Sequence, residues 1–192
     1  MKRTVIVSVV VISIFMVLQS FKMIDNKQNA AISSIDSTFL ITDGRVGKLE
    51  INMDAAKLKN IFPAERLQVK KSSAGDDEYS IYNILEPDNK TLAFEVESLC
   101  ADICLVSRIN IVSPKYKTIA GIGVGSTFAE IKKNYSMKSI IGGEDDYFMI
   151  YVKDFGDIAF LVKSADKKPK SGKPYEASEI LDSDVISRIY IF

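Results

Sequence analysis

The chain has 192 residues, 47% of them apolar and 26% charged, which suits one ordinary globular domain or two small fused ones. It contains no histidine, which excludes Ser-His-Asp and Cys-His catalysis and every imidazole metal site. Its 25 basic and 25 acidic residues balance, but three of the bases (Lys2, Arg3, Lys22) lie in an acid-free leader, so the remainder is net negative and has no electrostatic reason to bind nucleic acid.

At the amino terminus, Lys2-Arg3 precede an apolar run from Val5 to Leu18 broken only by Ser8 and Ser13. A basic start followed by an apolar stretch is the layout of a secretory signal. No small-x-small cleavage site and no lipid-acceptor cysteine closes the run. Residues 1–22 therefore read as a signal peptide or an uncleaved signal anchor, and residues 23–37 as a polar tether. The expected location is exported, either periplasmic or anchored in the membrane on its extracytoplasmic side.

Beyond the tether, Phe39 to Thr42 reads as an opening strand ending in the turn dipeptide Asp43-Gly44. Asp54 is a good N-cap, and Ala55, Leu58 and Phe62 make one apolar helical face that Pro63 stops. Tyr79–Leu85, Leu92–Val96 and the alternating pair Ile109/Ile111 read as three strands. Cys100 and Cys104 stand in the connection before the last of these. Two cysteines without histidine make a poor zinc site, so in an exported chain they read as a disulfide.

Gly121-Ile-Gly-Val-Gly-Ser-Thr127 invites a phosphate-loop reading. A dinucleotide fingerprint wants glycine where Ser126 stands, and a P-loop wants lysine before it, so the glycines read as a strand-to-helix turn. Thr127-Phe-Ala-Glu130 is a capping box ahead of the apolar face Phe128, Ile131 and Tyr135. Strands follow at Tyr147–Val152, Ile158–Val162 and Ile189/Ile191. The acidic turns Asp76-Asp77-Glu78 and Glu144-Asp145-Asp146 lack calcium-loop spacing and read as solvated. Lys167, Lys168, Lys170 and Lys173 occupy a loop bearing Pro and Gly. They read as a mobile surface loop, or as a contact for anionic headgroups or an acidic partner.

Several blocks recur in order. Gly75–Tyr79 is echoed by Gly143–Tyr147, Leu92–Val96 by Ile158–Val162, and Val106–Ile111 by Ile186–Ile191, at offsets of 68, 66 and 80. The expectation is an α+β fold made by tandem duplication. Residues 38–118 and 119–192 would each supply a helix plus a three-stranded antiparallel meander, with the helices on one face of the sheet or sheets.

The segment from Pro114-Lys-Tyr-Lys-Thr118 through Gly121 to Lys132 resembles uncharacterised bacterial envelope proteins, which carry such a segment behind an export signal. That resemblance implies class and compartment and no activity. The expected architecture is also similar in outline to the secreted β-lactamase-inhibitory protein and to small outer-membrane assembly lipoproteins. Function is expected to be non-enzymatic binding or scaffolding of an unidentified protein or envelope component, without a cofactor or metal. Contact is expected through loops 97–105 and 164–178, and with the membrane through residues 1–22 if these are retained. The alternatives are an inhibitor of an extracytoplasmic enzyme, or an enzyme using carboxylate, serine or lysine chemistry.

Overall fold

Alternation decides this fold more than helical periodicity does. The computed structural model describes residues 36–74, 77–164 and 166–192; the signal reading and nearly all of the tether lie outside the described residues. Among the described residues twelve strands run in chain order: β1 Leu40–Thr42, β2 Arg45–Val46, β3 Leu49–Glu50, β4 Leu67–Ala74, β5 Asp77–Leu85, β6 Leu92–Cys100, β7 Cys104–Ile111, β8 Lys117–Thr118, β9 Met137–Gly142, β10 Tyr147–Val152, β11 Ile158–Lys163 and β12 Val185–Ile191. Eight of them form one antiparallel sheet in the order β4-β5-β6-β7-β12-β11-β10-β9. The other four form a small sheet ordered β3-β2-β1-β8, in which β1 and β8 are parallel.

The register of the large sheet sorts side chains by face. Leu67, Ile84, Phe94, Ile111, Ile189, Phe160, Ile150 and Ile140 are paired successively across all eight strands. All but Leu67 are buried. The neighbouring row points the other way and reads Gln68, Asn83, Glu95, Asn110, Tyr190, Ala159, Tyr151, Ser139. Side chains along a strand alternate with period two, so a one-residue slip would exchange these rows and expose the apolar one. Each large apolar side chain kept inside stabilises by about 1.5–3 kcal/mol relative to exposure, which fixes the register.

The expected architecture of two helix-plus-three-strand copies is corrected by this arrangement. The chain is mostly β, and its only helix longer than one turn among the described residues is α2, Phe128–Asn134. The earlier helical face folds as a 3-10 turn, Ala55–Lys57, continued by the single turn α1, Leu58–Ile61. Pro63 holds Phe62 extended (φ −120°) and ends it there. Both caps do form: the Asp54 carboxylate accepts from the Ala56 N–H at 2.8 Å, and Thr127 with Glu130 closes a capping box. The large sheet is continuous through β7 and β12, with Ile109, Asn110 and Ile111 paired to Ile191, Tyr190 and Ile189. It also includes β4 and β9, the two edge strands that the meander reading omits. Ala55, Leu58, Phe128 and Ile131 pack with the apolar row and with Ile41, Val46 and Leu49 of the small sheet in one core. Residues 37–192 form one compact unit.

Candidate functional site

Where the small sheet meets the upper end of β5 and β6, four aromatic rings gather. The parallel register Leu40↔Lys117 sets Phe39, just before β1, beside Tyr116, just before β8, with ring centroids 5.5 Å apart. Tyr116 in turn lies 4.5 Å from Phe94, and Phe94 lies 6.4 Å from Phe62. The chain passes close behind them at Gly47, where φ is +55° and an added Cβ would strike the Thr38 carbonyl. Only glycine fits there.

These rings, with Val46, Leu49 and Ile61, line a pocket of about 230 Å³. Its polar groups are few and placed by turns. Arg66 comes from the 3-10 turn Ala64–Arg66, donates through Nε to the Leu85 carbonyl at 2.6 Å, and lies 5.5 Å from the Phe62 ring centroid. Glu86 follows β5 and is buried, where its carboxylate accepts from the Ser113 hydroxyl and, at 2.7 Å, from Lys115 Nζ. Lys48 and Lys115 are exposed at the rim. Burial, and secondarily the Glu86 charge, push the Tyr116 phenol up to about 12. Such a pocket offers an apolar floor, one carboxylate already neutralised by Lys115, and two further cations, Lys48 and Arg66.

A second apolar hollow, about 380 Å³, lies at the tip of the β6–β7 hairpin. Cys100 and Cys104 are directly cross-strand, with Cα atoms 4.0 Å apart, and are disulfide-bonded around a three-residue turn. Leu99 and Ile103 stand beside the bond, 56% and 58% exposed. This hairpin overhangs β12, since only Ile109–Ile111 of β7 pair with that strand. Residues Asn52–Asp54 support the overhang instead, through Asn52 N–H to Val106 O at 2.8 Å and Val106 N–H to Met53 O at 2.9 Å.

The lysine loop is laid along the edge of β9. The Gly142 N–H donates to the Lys173 carbonyl and the Gly172 N–H to the Gly142 carbonyl, each at 2.8 Å. Lys168 Nζ is 3.1 Å from Asp146, Lys167 Nζ 3.8 Å from Glu179, and Lys173 Nζ 5.4 Å from the Tyr175 ring centroid. The Lys170 backbone N–H donates to the Tyr175 hydroxyl. Antiparallel pairing of β7 with β12 puts this loop and the disulfide tip at opposite ends of the sheet. They do not form one surface.

On the sheet face turned away from the core, Arg108 pairs with Glu97 and lies 4.9 Å from the Tyr190 ring centroid. Burial works against the guanidinium charge, and Glu97 more than offsets it, so Arg108 is held above its ordinary value. Beside them Asn110 is 2% exposed, with both amide atoms unpartnered among the described residues. The Gly121–Gly125 segment makes a turn, with Gly121 at φ +78° and Gly125 at +87°. No group of three or more metal-ligating side chains is found among the described residues.

The molecule so described is a mostly β protein built on one eight-stranded antiparallel sheet, with two apolar hollows and one disulfide. Its fold is similar to that in the crystal structure of the uncharacterized protein yfeY from Escherichia coli, with a TM-score of 0.60 at 13% identity, covering 79% of this chain and 98% of that one. That likeness concerns the fold alone. In sequence, no family model and no curated protein matches the chain.

Disulfides persist in oxidising compartments, and this one places the folded chain with proteins of that environment. Among the described residues no helix is long and apolar enough to cross a membrane. The disulfide was readable from two cysteines in a chain whose leader reads as an export signal. The aromatic pocket was not, because its residues come from seven separate segments and no local pattern joins them.

Proposed function

We propose that this chain is an exported envelope protein that works as a non-enzymatic binding module, holding a protein partner at the tip of the β6–β7 hairpin. One observation carries the reading: a disulfide-closed tip presents Leu99 and Ile103, each more than half exposed, beside an apolar hollow. Rigid exposed apolar groups at a projecting end are typical of contact surfaces, where pre-ordering removes part of the entropy cost of binding. The basic and apolar leader, together with the disulfide, supports export. Asp102, exposed at the apex between the cysteines, favours a protein over a lipid surface, since a carboxylate enters a bilayer at high cost. Lysines 167 and 168 support the reading less, because Glu179 and Asp146 already engage them.

A photo-crosslinking residue placed at Ile103 in living cells tests this, with one at Ile119 (52% exposed) as the control. A discrete adduct is expected from Ile103 only, and it should disappear when Leu99→Asp is added. Both side chains are exposed, so these changes should alter unfolding stability by no more than about 0.5 kcal/mol. An adduct that survives Leu99→Asp, or one formed equally from Ile119, would remove the tip from the mechanism.

A further inference from the structure

The aromatic pocket is at the opposite end of β6 from the disulfide tip, and it has its own chemistry. We propose that it holds the apolar end of an amphipathic anion: one unbranched chain of medium length, carrying a carboxylate or phosphate head that stays at the rim. Size and charge are the two arguments. An apolar cavity of about 150 Å³ accepts one benzene. The pocket here measures about 230 Å³, which admits a chain of eight to ten carbons, roughly scaled, and not a two-chain lipid. Its walls are the faces and edges of Phe39, Phe62, Phe94 and Tyr116, with no carboxylate other than Glu86.

That single carboxylate is already spoken for. Glu86 is buried and accepts from both Ser113 and Lys115, so it presents little free negative charge to an entering ligand. Lys48, Arg66 and Lys115 add three positive charges, leaving the rim with a net of two. A neutral ligand would gain nothing from those cations, and a cationic one would be repelled. Pocket and head therefore divide the work: the rings remove the chain from water, and the cations select the sign of the head. The chain could come from a free fatty acid or from an anionic lipid lending one acyl chain from a bilayer.

Photolabelling of the full-length protein in lipid nanodiscs separates these cases. Three probes share one diazirine-bearing decyl chain: the free carboxylic acid, the uncharged alcohol, and a phosphatidylglycerol carrying that chain. Peptide mapping should place adducts from the free acid in the segments that wall the pocket, 38–49, 61–66, 86–94 and 115–116, in excess over the alcohol. Labelling should fall about threefold or more with Lys48→Glu, an exposed rim change that removes no packing. It should be lost with Ile61→Trp, which fills the pocket. Adducts from phosphatidylglycerol at the same residues would identify a bilayer chain as the source, and adducts from the free acid alone a soluble one. Equal labelling by acid and alcohol would overturn the anionic class. Adducts scattered outside these segments, unaffected by Ile61→Trp, would overturn the pocket itself. Neither result touches the hairpin tip, whose crosslinking test is separate.

Discussion

Tyr116 joins the two sheets, touching Phe39 on one side and Phe94 on the other. Removed from water, and near the Glu86 charge, its phenol ionises only at about 12, well above the value near 10 of an unfolded chain. Between those values the unfolded state has already lost a proton that the folded state keeps. Stability must therefore fall as pH rises through that window, having been fully present below 10. Tyr135, Tyr151 and Tyr190 are also raised, chiefly by burial, and share in the loss. Tyr116→Phe removes one titrating group and keeps the ring. Urea unfolding at about pH 9 and about pH 11.5 should show a smaller alkaline loss in Tyr116→Phe than in the unaltered protein. Equal losses would mean that Tyr116 is solvated in the folded state.

Among the elements, β9 shows how an edge strand is protected. Its outer side would offer unpaired N–H and carbonyl groups to another chain, and the lysine loop covers part of it through Gly142 and the bridge Ile141↔Pro174. A Cβ at Gly142 would strike the Lys170 carbonyl, which is backbone and cannot swing aside. Gly142→Ala should therefore displace the loop, costing about 1–3 kcal/mol in denaturant unfolding and speeding tryptic cleavage after Lys167 and Lys170, the two lysines of the loop not followed by proline. Unchanged stability and cleavage would show that the loop is not seated on the edge. The loop thus has a structural role that its sequence, four lysines among Pro and Gly, did not announce. The two edge strands were illegible for a related reason. Leu67-Gln-Val-Lys-Lys-Ser-Ser-Ala74 and Met137-Lys-Ser-Ile-Ile-Gly142 are polar on much of their length, because an edge is solvated on one side. The six inner strands are richer in aromatic and β-branched residues and were readable in their central parts, but β6 and β7 run on to Cys100 and from Cys104, through residues that read as a loop.

At the scale of the whole molecule, the sheet's two faces differ in kind, and the difference sets where the molecule can open. The inward row is apolar from β4 to β9, whereas the outward row holds Asn83, Glu95, Asn110 and Tyr190. The two apolar helical faces that suggest an α+β fold build no layer of their own. They amount to a one-turn helix behind a 3-10 turn and a seven-residue helix, which only cap a core that the sheet organises. Stability should then be distributed by distance from the β7–β12 seam. There Ile109, Ile111, Ile189 and Ile191 are all fully buried, with strands hydrogen-bonded on both sides. Outward from it, β4 has one neighbour and exposes half of Val69, and β2 and β3 are two residues each. Amide exchange through local opening costs least where few apolar contacts must be broken. Hydrogen exchange followed by mass spectrometry should show the slowest amides in 109–111 and 189–191, intermediate rates in β5, β6, β10 and β11, and the fastest strand amides in β2, β3 and β4. If instead β4 were as protected as β7, the core would extend past the seam to the edge, and the sheet would unfold as one unit without a graded centre.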